Sequence, residues 1–193
     1  DFSVKSDNSK DFYSLKEKNG ETQFIGYETL TSTSKLLGVI HLDENNQALV
    51  FDKTPFYAEG GGQSGDRGII LKNGKEVAQV YDTQGPVEGI SAHLIKGNTL
   101  LKVGEVYDLK VDEENRNLTK YNHSATHLLQ AALIKVLGGH IKQAGSSVGP
   151  DRLRFDFTHP EALSKQQVLR VEELVNEQVS RCTDIYPKIM KKD

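Results

Sequence analysis

Apolar and polar positions follow two different rhythms along this chain. From residue 24 to about 111, short segments of β-type composition succeed one another at residues 36–42, 48–51, 68–71, 76–82, 90–95, 100–103 and 106–111. Turn-forming pairs punctuate them at Asn45-Asn46, Asn73-Gly74, Gly85-Pro86, Gly97-Asn98 and Gly104-Glu105, and this spacing predicts a compact antiparallel barrel or sandwich. Asn73-Gly74 is the strongest hairpin turn, because both residues tolerate the positive φ of a type I′ turn. At Asp112 the pattern switches to helix. Ala125, Leu128, Leu129, Ala132, Leu133, Val136 and Leu137 recur every three or four residues behind Asn122, a candidate N-cap, and stop at Gly138-Gly139; this is the core stripe of a helix. Residues 152–157 alternate charged and apolar side chains as a strand does. Pro160 is read as opening a second helix, with Val168, Val171, Leu174, Val175 and Val179 on its apolar face. Residues 1–23 are polar, lysine-rich and without period, and read as a linker or frayed helix left from a preceding segment. The expected class is α+β, with a barrel-like lobe over residues 24–111 packed on an α+β lobe over residues 112–193.

Composition narrows this picture. With 36% hydrophobic residues in 193, the chain has enough apolar surface for one good-sized domain or two small ones. No apolar run approaches the roughly 20 residues that span a bilayer. A single cysteine forms no internal disulfide, and no leader-like start is present, so a reducing cytoplasm and no membrane anchor are expected. The start Asp1-Phe2-Ser3-Val4 without methionine, and the end at Lys191-Lys192-Asp193, read as those of an excised piece. A formal net charge of −3 argues against coating nucleic acid through bulk charge. A local basic groove from Lys102, Lys110, Arg116, Lys120, Lys135, Lys142, Arg152 and Arg154 stays open, although a solvated mixed surface accounts for each of them.

Two stretches carry candidate chemistry. His123-Ser124-Ala125-Thr126-His127 sets two imidazoles at i and i+4 on one helical face, the arrangement by which a helix offers two nitrogens to one metal ion. Ser124 stands where zinc proteases keep a general-base glutamate, which disfavours peptide hydrolysis by that route. Gly60-Gly61-Gly62-Gln63 lies in the run from Thr54 to Gly68. Three glycines allow positive φ and close approach to another lobe or a ligand, with amides free for an oxyanion or ribose oxygen; a tight bend is the plainer account. Neither a Walker loop nor a dinucleotide fingerprint is present. His41, His93, His140 and His159 have no partner in sequence and read as ordinary surface or core histidines.

Taken in order, Thr54-Pro55-Phe56-Tyr57, Gly60-Gly61-Gly62-Gln63 with Asp66-x-Gly68, Val111-Asp112-x-x-x-Arg116, Asn122-His123-Ser124-Ala125-Thr126-His127-Leu128-Leu129, and Gln143-x-Gly145-Ser146 with Leu153-Arg154-Phe155-Asp156-Phe157 resemble the editing domain of alanyl-tRNA synthetases. The resemblance runs from about Phe24 to the C-terminus. It implies a barrel-like glycine-motif lobe on an α+β lobe, and hydrolysis of tRNA(Ala) mischarged with serine or glycine. It further implies zinc on His123, His127 and a later cysteine and histidine, and substrate contacts from Gly60, Gly61, Gly62 and Gln63. Gln143 corresponds to a glutamine lining the editing pocket, where an amide bonds the aminoacyl group or orients water; a turn-stabilising role is the alternative. The acceptor end of tRNA(Ala) and the remaining domains of a parent synthetase are the implied partners, with ATP used only in the parent's ligase domain.

The chain departs from the family pattern where the metal site should close. The Cys-x-x-x-His segment is missing: Cys182 is followed at the fourth position by Tyr186. Cys182 is therefore expected to be a small buried or half-buried residue, and a site with only His123 and His127 to hold zinc weakly or not at all. Two other classes compete. A noncatalytic module would hold an acceptor stem through its backbone; a metal-dependent hydrolase of small amides or esters would need an acidic base beside the histidines, which the motif lacks.

Overall fold

The computed structural model describes residues 8–184. Its elements in chain order are α1 (Ser9–Asn19), β1 (Gln23–Phe24), β2 (Thr31–His41), β3 (Asn46–Phe51), β4 (Lys53–Thr54), β5 (Gly68–Lys72), β6 (Lys75–Val87), β7 (Ile90–Lys96), β8 (Val106–Val111), α2 (Glu113–Leu137), β9 (Gln143–Val148), β10 (Leu153–Phe157) and α3 (Lys165–Ser180). Six strands close into a barrel in the order β2-β3-β7-β6-β5-β8, every neighbour antiparallel. The architecture is α+β, and of the two expected alternatives the barrel is the one formed.

Strand alternation explains the barrel core. In β8, Tyr107, Leu109 and Val111 point inward while Val106, Asp108 and Lys110 point out, and they meet Leu36, Leu49, Phe51, Phe56, Ile70 and Ile95 inside. β3 is buried on both faces: Leu49 and Phe51 enter the barrel, whereas Ala48 and Val50 join Phe12, Ile90, Ala92 and Leu94 in a second core outside it. That second core sits under α1. Residues 9–19 are thus a packed helix and not a linker, with Phe12 fully buried and Leu15 against Gly38. Two apolar anchors flanked by lysines seat this helix, too few to register as a periodic stripe.

Other boundaries also differ from the sequence expectation. Asn73 and Gly74 adopt φ of 52° and 75° between the paired Lys72 and Lys75, as the type I′ reading requires. β6 runs through Gly85-Pro86 by way of a register shift between Gln84 and Val87, because an irregular position does not need the amide proton that proline lacks. Residues 100–103 form no strand; Leu100 is exposed, and Thr99 is held by the Gln47 side chain. Asp112 caps α2 by accepting from the Asn115 amide, so the helix begins where the pattern switches and the cap is Asp112, not Asn122. Asn122 lies inside it and donates to the carbonyls of Gly149 and Pro150. α3 begins after Ser164 with a capping box to Gln167, not at Pro160, and its buried residues are Val171 and Leu174, with Val168 and Val179 exposed.

A third core joins α2, α3 and the β9-β10 hairpin through Ala132, Leu133, Ile141, Phe155, Val171 and Leu174. The N-terminal end of α2 is tied to the barrel by a buried ion pair. The Arg116 guanidinium bonds both carboxylate oxygens of Asp66 and donates to the carbonyls of Gly26 and Pro55 at 2.8 Å each. Asp66 also accepts from the Tyr57 amide at 2.6 Å. Arg116, read from sequence as one of several surface cations, is 4% exposed. No described helix is long and apolar enough to cross a membrane.

Candidate functional site

α2 is one helix of 25 residues, so His123 and His127 leave it one turn apart on the same face. Both are exposed, and their rings lie 5.1 Å apart between centroids, tilted by 30°. His123 Nδ1 is 2.7 Å from Gln63 Oε1. An amide oxygen only accepts, so the bond requires the proton on Nδ1 and leaves the Nε2 lone pair open. Partial burial, and next the neighbouring His127, lower the His123 pKa below its ordinary value, which favours the neutral ring that a metal needs. The donor set therefore fits a zinc ion in part. Among the described residues no group of three or more His, Cys, Asp and Glu converges anywhere, so these residues offer two of the four ligands a tetrahedral ion takes.

Gln63 reaches His123 because of how the glycine loop is built. Gly60 and Gln63 exchange backbone hydrogen bonds of 3.1 and 3.0 Å around Gly61 and Gly62, whose φ values are +60° and +86°. Two positive φ values in the centre of a tight turn explain the glycines. The turn is pressed onto β9: Val148 donates to the Gly62 carbonyl, Ser64 donates to that of Val148, and a Cβ on Gly62 would stand 2.6 Å from the Ser146 carbonyl oxygen. The amides of Gly60 and Gln63 are spent within the turn. Those of Gly61 and Gly62 form no hydrogen bond among the described residues, so only half of the anticipated amide donors stay unspent.

Gln143 opens β9, exposed, and donates to Ser146 Oγ at 3.0 Å. The glycine turn thus stands between two polar groups from different elements, with His123 on Gln63 and Gln143 on Ser146. A cleft of about 350 Å³ borders the His123–Gln63 pair, lined by Phe24, Tyr27, Tyr57, Gln63, Arg116, Lys120, His123 and Ser124, and Gln143 is not among its lining residues.

A model of the class II (A) tRNA synthetases matches residues 2–115. The chain belongs to this family. Alanine–tRNA ligases are similar to it as well: that of Parvibaculum lavamentivorans is 38% identical over 188 residues, covering 93% of this chain and 21% of the relative. Those of Fervidobacterium nodosum and Petrotoga mobilis are each 43% identical, covering 90% and 97% of this chain and 21% and 23% of their own length. The chain spans about a fifth of the length of these relatives. The synthetase-family match ends inside α2, before both histidines, whereas the similarity to the ligases takes in at least 90% of the chain and so runs through His123, His127 and Gln143.

The remaining histidines sort by environment. His93 is fully buried, its Nδ1 bonded to the Leu49 carbonyl at 2.9 Å and its Nε2 to the Thr54 hydroxyl at 2.7 Å. Burial lowers its pKa to about 4. His41 bonds Gln47. His140 and His159, unpartnered in sequence, meet at 2.9 Å across the mouth of the β9-β10 hairpin, a pairing that only the strand register reveals. Cys182 is exposed, not buried or half-buried, and Tyr186 lies outside the described residues. The aromatic cleft escaped the sequence reading, since Phe24, Tyr27 and Tyr57 converge only through the β1-β4 bridge.

Proposed function

We propose that this chain is the part of an alanine–tRNA ligase that hydrolyses the ester of tRNA(Ala) mischarged with serine or glycine, acting in the cytoplasm on the acceptor end. The observation that carries this reading is the His123–Gln63 bond, which couples the paired histidines to the glycine turn and leaves Nε2 of His123 directed by a neighbour, as metal-binding histidines are. ATP is used elsewhere in such a ligase.

Zinc on His123, His127 and two ligands from a later Cys-x-x-x-His segment would supply a Lewis acid for the ester carbonyl or a binding point for the substrate amine or hydroxyl. An aminoacyl ester is already activated, so the protein has mainly to position water and stabilise an oxyanion. The unspent amides of Gly61 and Gly62 are donors suited to the oxyanion or to a ribose oxygen. The Gln143 amide keeps its oxygen available to hold the attacking water or the serine hydroxyl, and a terminal ribose hydroxyl or water takes the proton. Serine is selected because a site that hydrogen-bonds a hydroxyl discriminates where a small apolar pocket does not.

The test is deacylation of Ser-tRNA(Ala) against Ala-tRNA(Ala) by this chain and by a form extended through the Cys-x-x-x-His segment, with zinc content measured on both. Selective hydrolysis that appears with bound zinc in the extended form, and disappears in its His127→Ala variant with the fold intact, is expected. Retained hydrolysis in that variant would sink the ligand assignment. Equal binding of charged and uncharged tRNA without hydrolysis by either form would leave a binding module.

A further inference from the structure

We propose that the aromatic cleft beside His123 seats the unpaired 3′-terminal nucleoside of an RNA, its base lying on Tyr27 and a backbone phosphate meeting Lys120. Phe24 contacts two tyrosines edge to face, Tyr27 at 5.0 Å and Tyr57 at 6.1 Å between centroids, and the three rings line one wall of the cleft. Tyr27 is 88% exposed. A large ring left in water is unremarkable on a frayed loop, but this loop is pinned. Arg116 holds the Gly26 carbonyl at 2.8 Å, Ile25 donates to Thr54, and both Glu28 and Thr29 donate to the Ile25 carbonyl. An aromatic face presented on a fixed backbone loses little freedom when a base stacks on it, which is how single-stranded nucleic acid is held.

The other wall is α2. Lys120 is exposed, forms no ion pair among the described residues, and precedes His123 by three positions, so it shares that face of the helix. Its cation suits a phosphate in a chain that is otherwise net acidic. Continuity with the histidines chooses the occupant. The inference rests on the ester-hydrolysis reading: an ester on the terminal ribose puts the base within one sugar of the reacting carbonyl, so the base must find a surface bordering His123 and Gln63. This cleft borders both.

The experiment compares binding of 5′-labelled uncharged tRNA(Ala) with the same RNA lacking its terminal adenosine, for the wild type, Tyr27→Ala, Tyr27→Phe and Lys120→Ala, alongside thermal melts. Tyr27→Ala should weaken binding of the complete RNA by about tenfold, as loss of one stacked base does, and barely change binding of the shortened one. Tyr27→Phe should bind like the wild type, and Lys120→Ala should reduce the salt dependence on both RNAs. The proposal is overturned if Tyr27→Ala binds normally, if it loses equally on both RNAs because something other than the terminal nucleoside covers the cleft, or if neither RNA binds. A terminal-adenosine-dependent loss without Ser-tRNA(Ala) hydrolysis, even in the extended form, keeps the cleft and rejects the hydrolytic reading. Hydrolysis with a neutral Tyr27→Ala does the reverse.

Discussion

The barrel and the face of α2 treat polar side chains in opposite ways. Inside the barrel lobe, His93 has both ring nitrogens bonded and Asp66 meets Arg116 in a pair whose remaining donors reach two carbonyls. Among the described residues, no buried side-chain nitrogen or oxygen lacks a partner. On α2 and β9, His123 has one ring nitrogen bonded and the other open, and Gln143 uses one donor of its amide. Saturated polar groups hold a structure; exposed groups left with an open donor or acceptor are equipped to meet something else. The same residue type, histidine, falls on both sides of this division, so its surroundings and not its identity assign the role.

Breaking the saturated side should cost the most. Asp66→Ala leaves the Arg116 charge buried without a partner, and unfolding in denaturant should register a loss of about 3–5 kcal/mol. Replacing both residues by apolar ones of similar size should recover much of it. The His93 contrast is visible in pH. Its folded pKa of about 4 lies below the ordinary 6.5, so its contribution is complete above pH 6.5 and is lost as pH falls from there through 4, by up to about 3 kcal/mol. Melts of wild type against His93→Gln between pH 7 and 4.5 check this: the variant, though less stable, should give the flatter profile. Gly62→Ala meets Ser146 at a φ of +86°, and a loss on the order of 1–3 kcal/mol is expected in the same denaturant assay. Gln63→Leu should change stability by no more than about 0.5 kcal/mol. It should nonetheless free His123 to exchange tautomers, read from the nitrogen chemical shifts of its ring; an unchanged spectrum would dissolve the link between turn and helix.

Much of this was legible beforehand where periodicity was strong. Strand alternation and Asn73-Gly74 led to the barrel hairpins, and the three- and four-residue spacing led to the α2 stripe. The failures have physical causes. The apolar contacts of α1 come from Phe12 and Leu15, too few to show a period. Asp112 and Asn122 are both competent caps; the switch to helix at Asp112 marks the start, but Asn122 reads as the cap in sequence, whereas its amide is spent on the carbonyls of Gly149 and Pro150. The pairing of histidines 123 and 127 follows from helix geometry, so sequence sufficed. Gln63 on His123 spans 60 positions and needed the glycine turn to be folded against β9, and the aromatic cleft needed the register of β1 with β4.

Helix α2 runs unbroken for 25 residues, roughly 37 Å at the usual rise, and its two ends belong to different neighbours: Arg116 is clamped in the barrel, while Ala132 and Leu133 are set in the third core. It is a strut spanning both lobes, with the histidines near mid-span. A strut anchored at both ends has no hinge from which its middle could swing toward an incoming chain. The spacing of the two histidines from the barrel is therefore set by the length of helix between Arg116 and His123, and not by a movable joint.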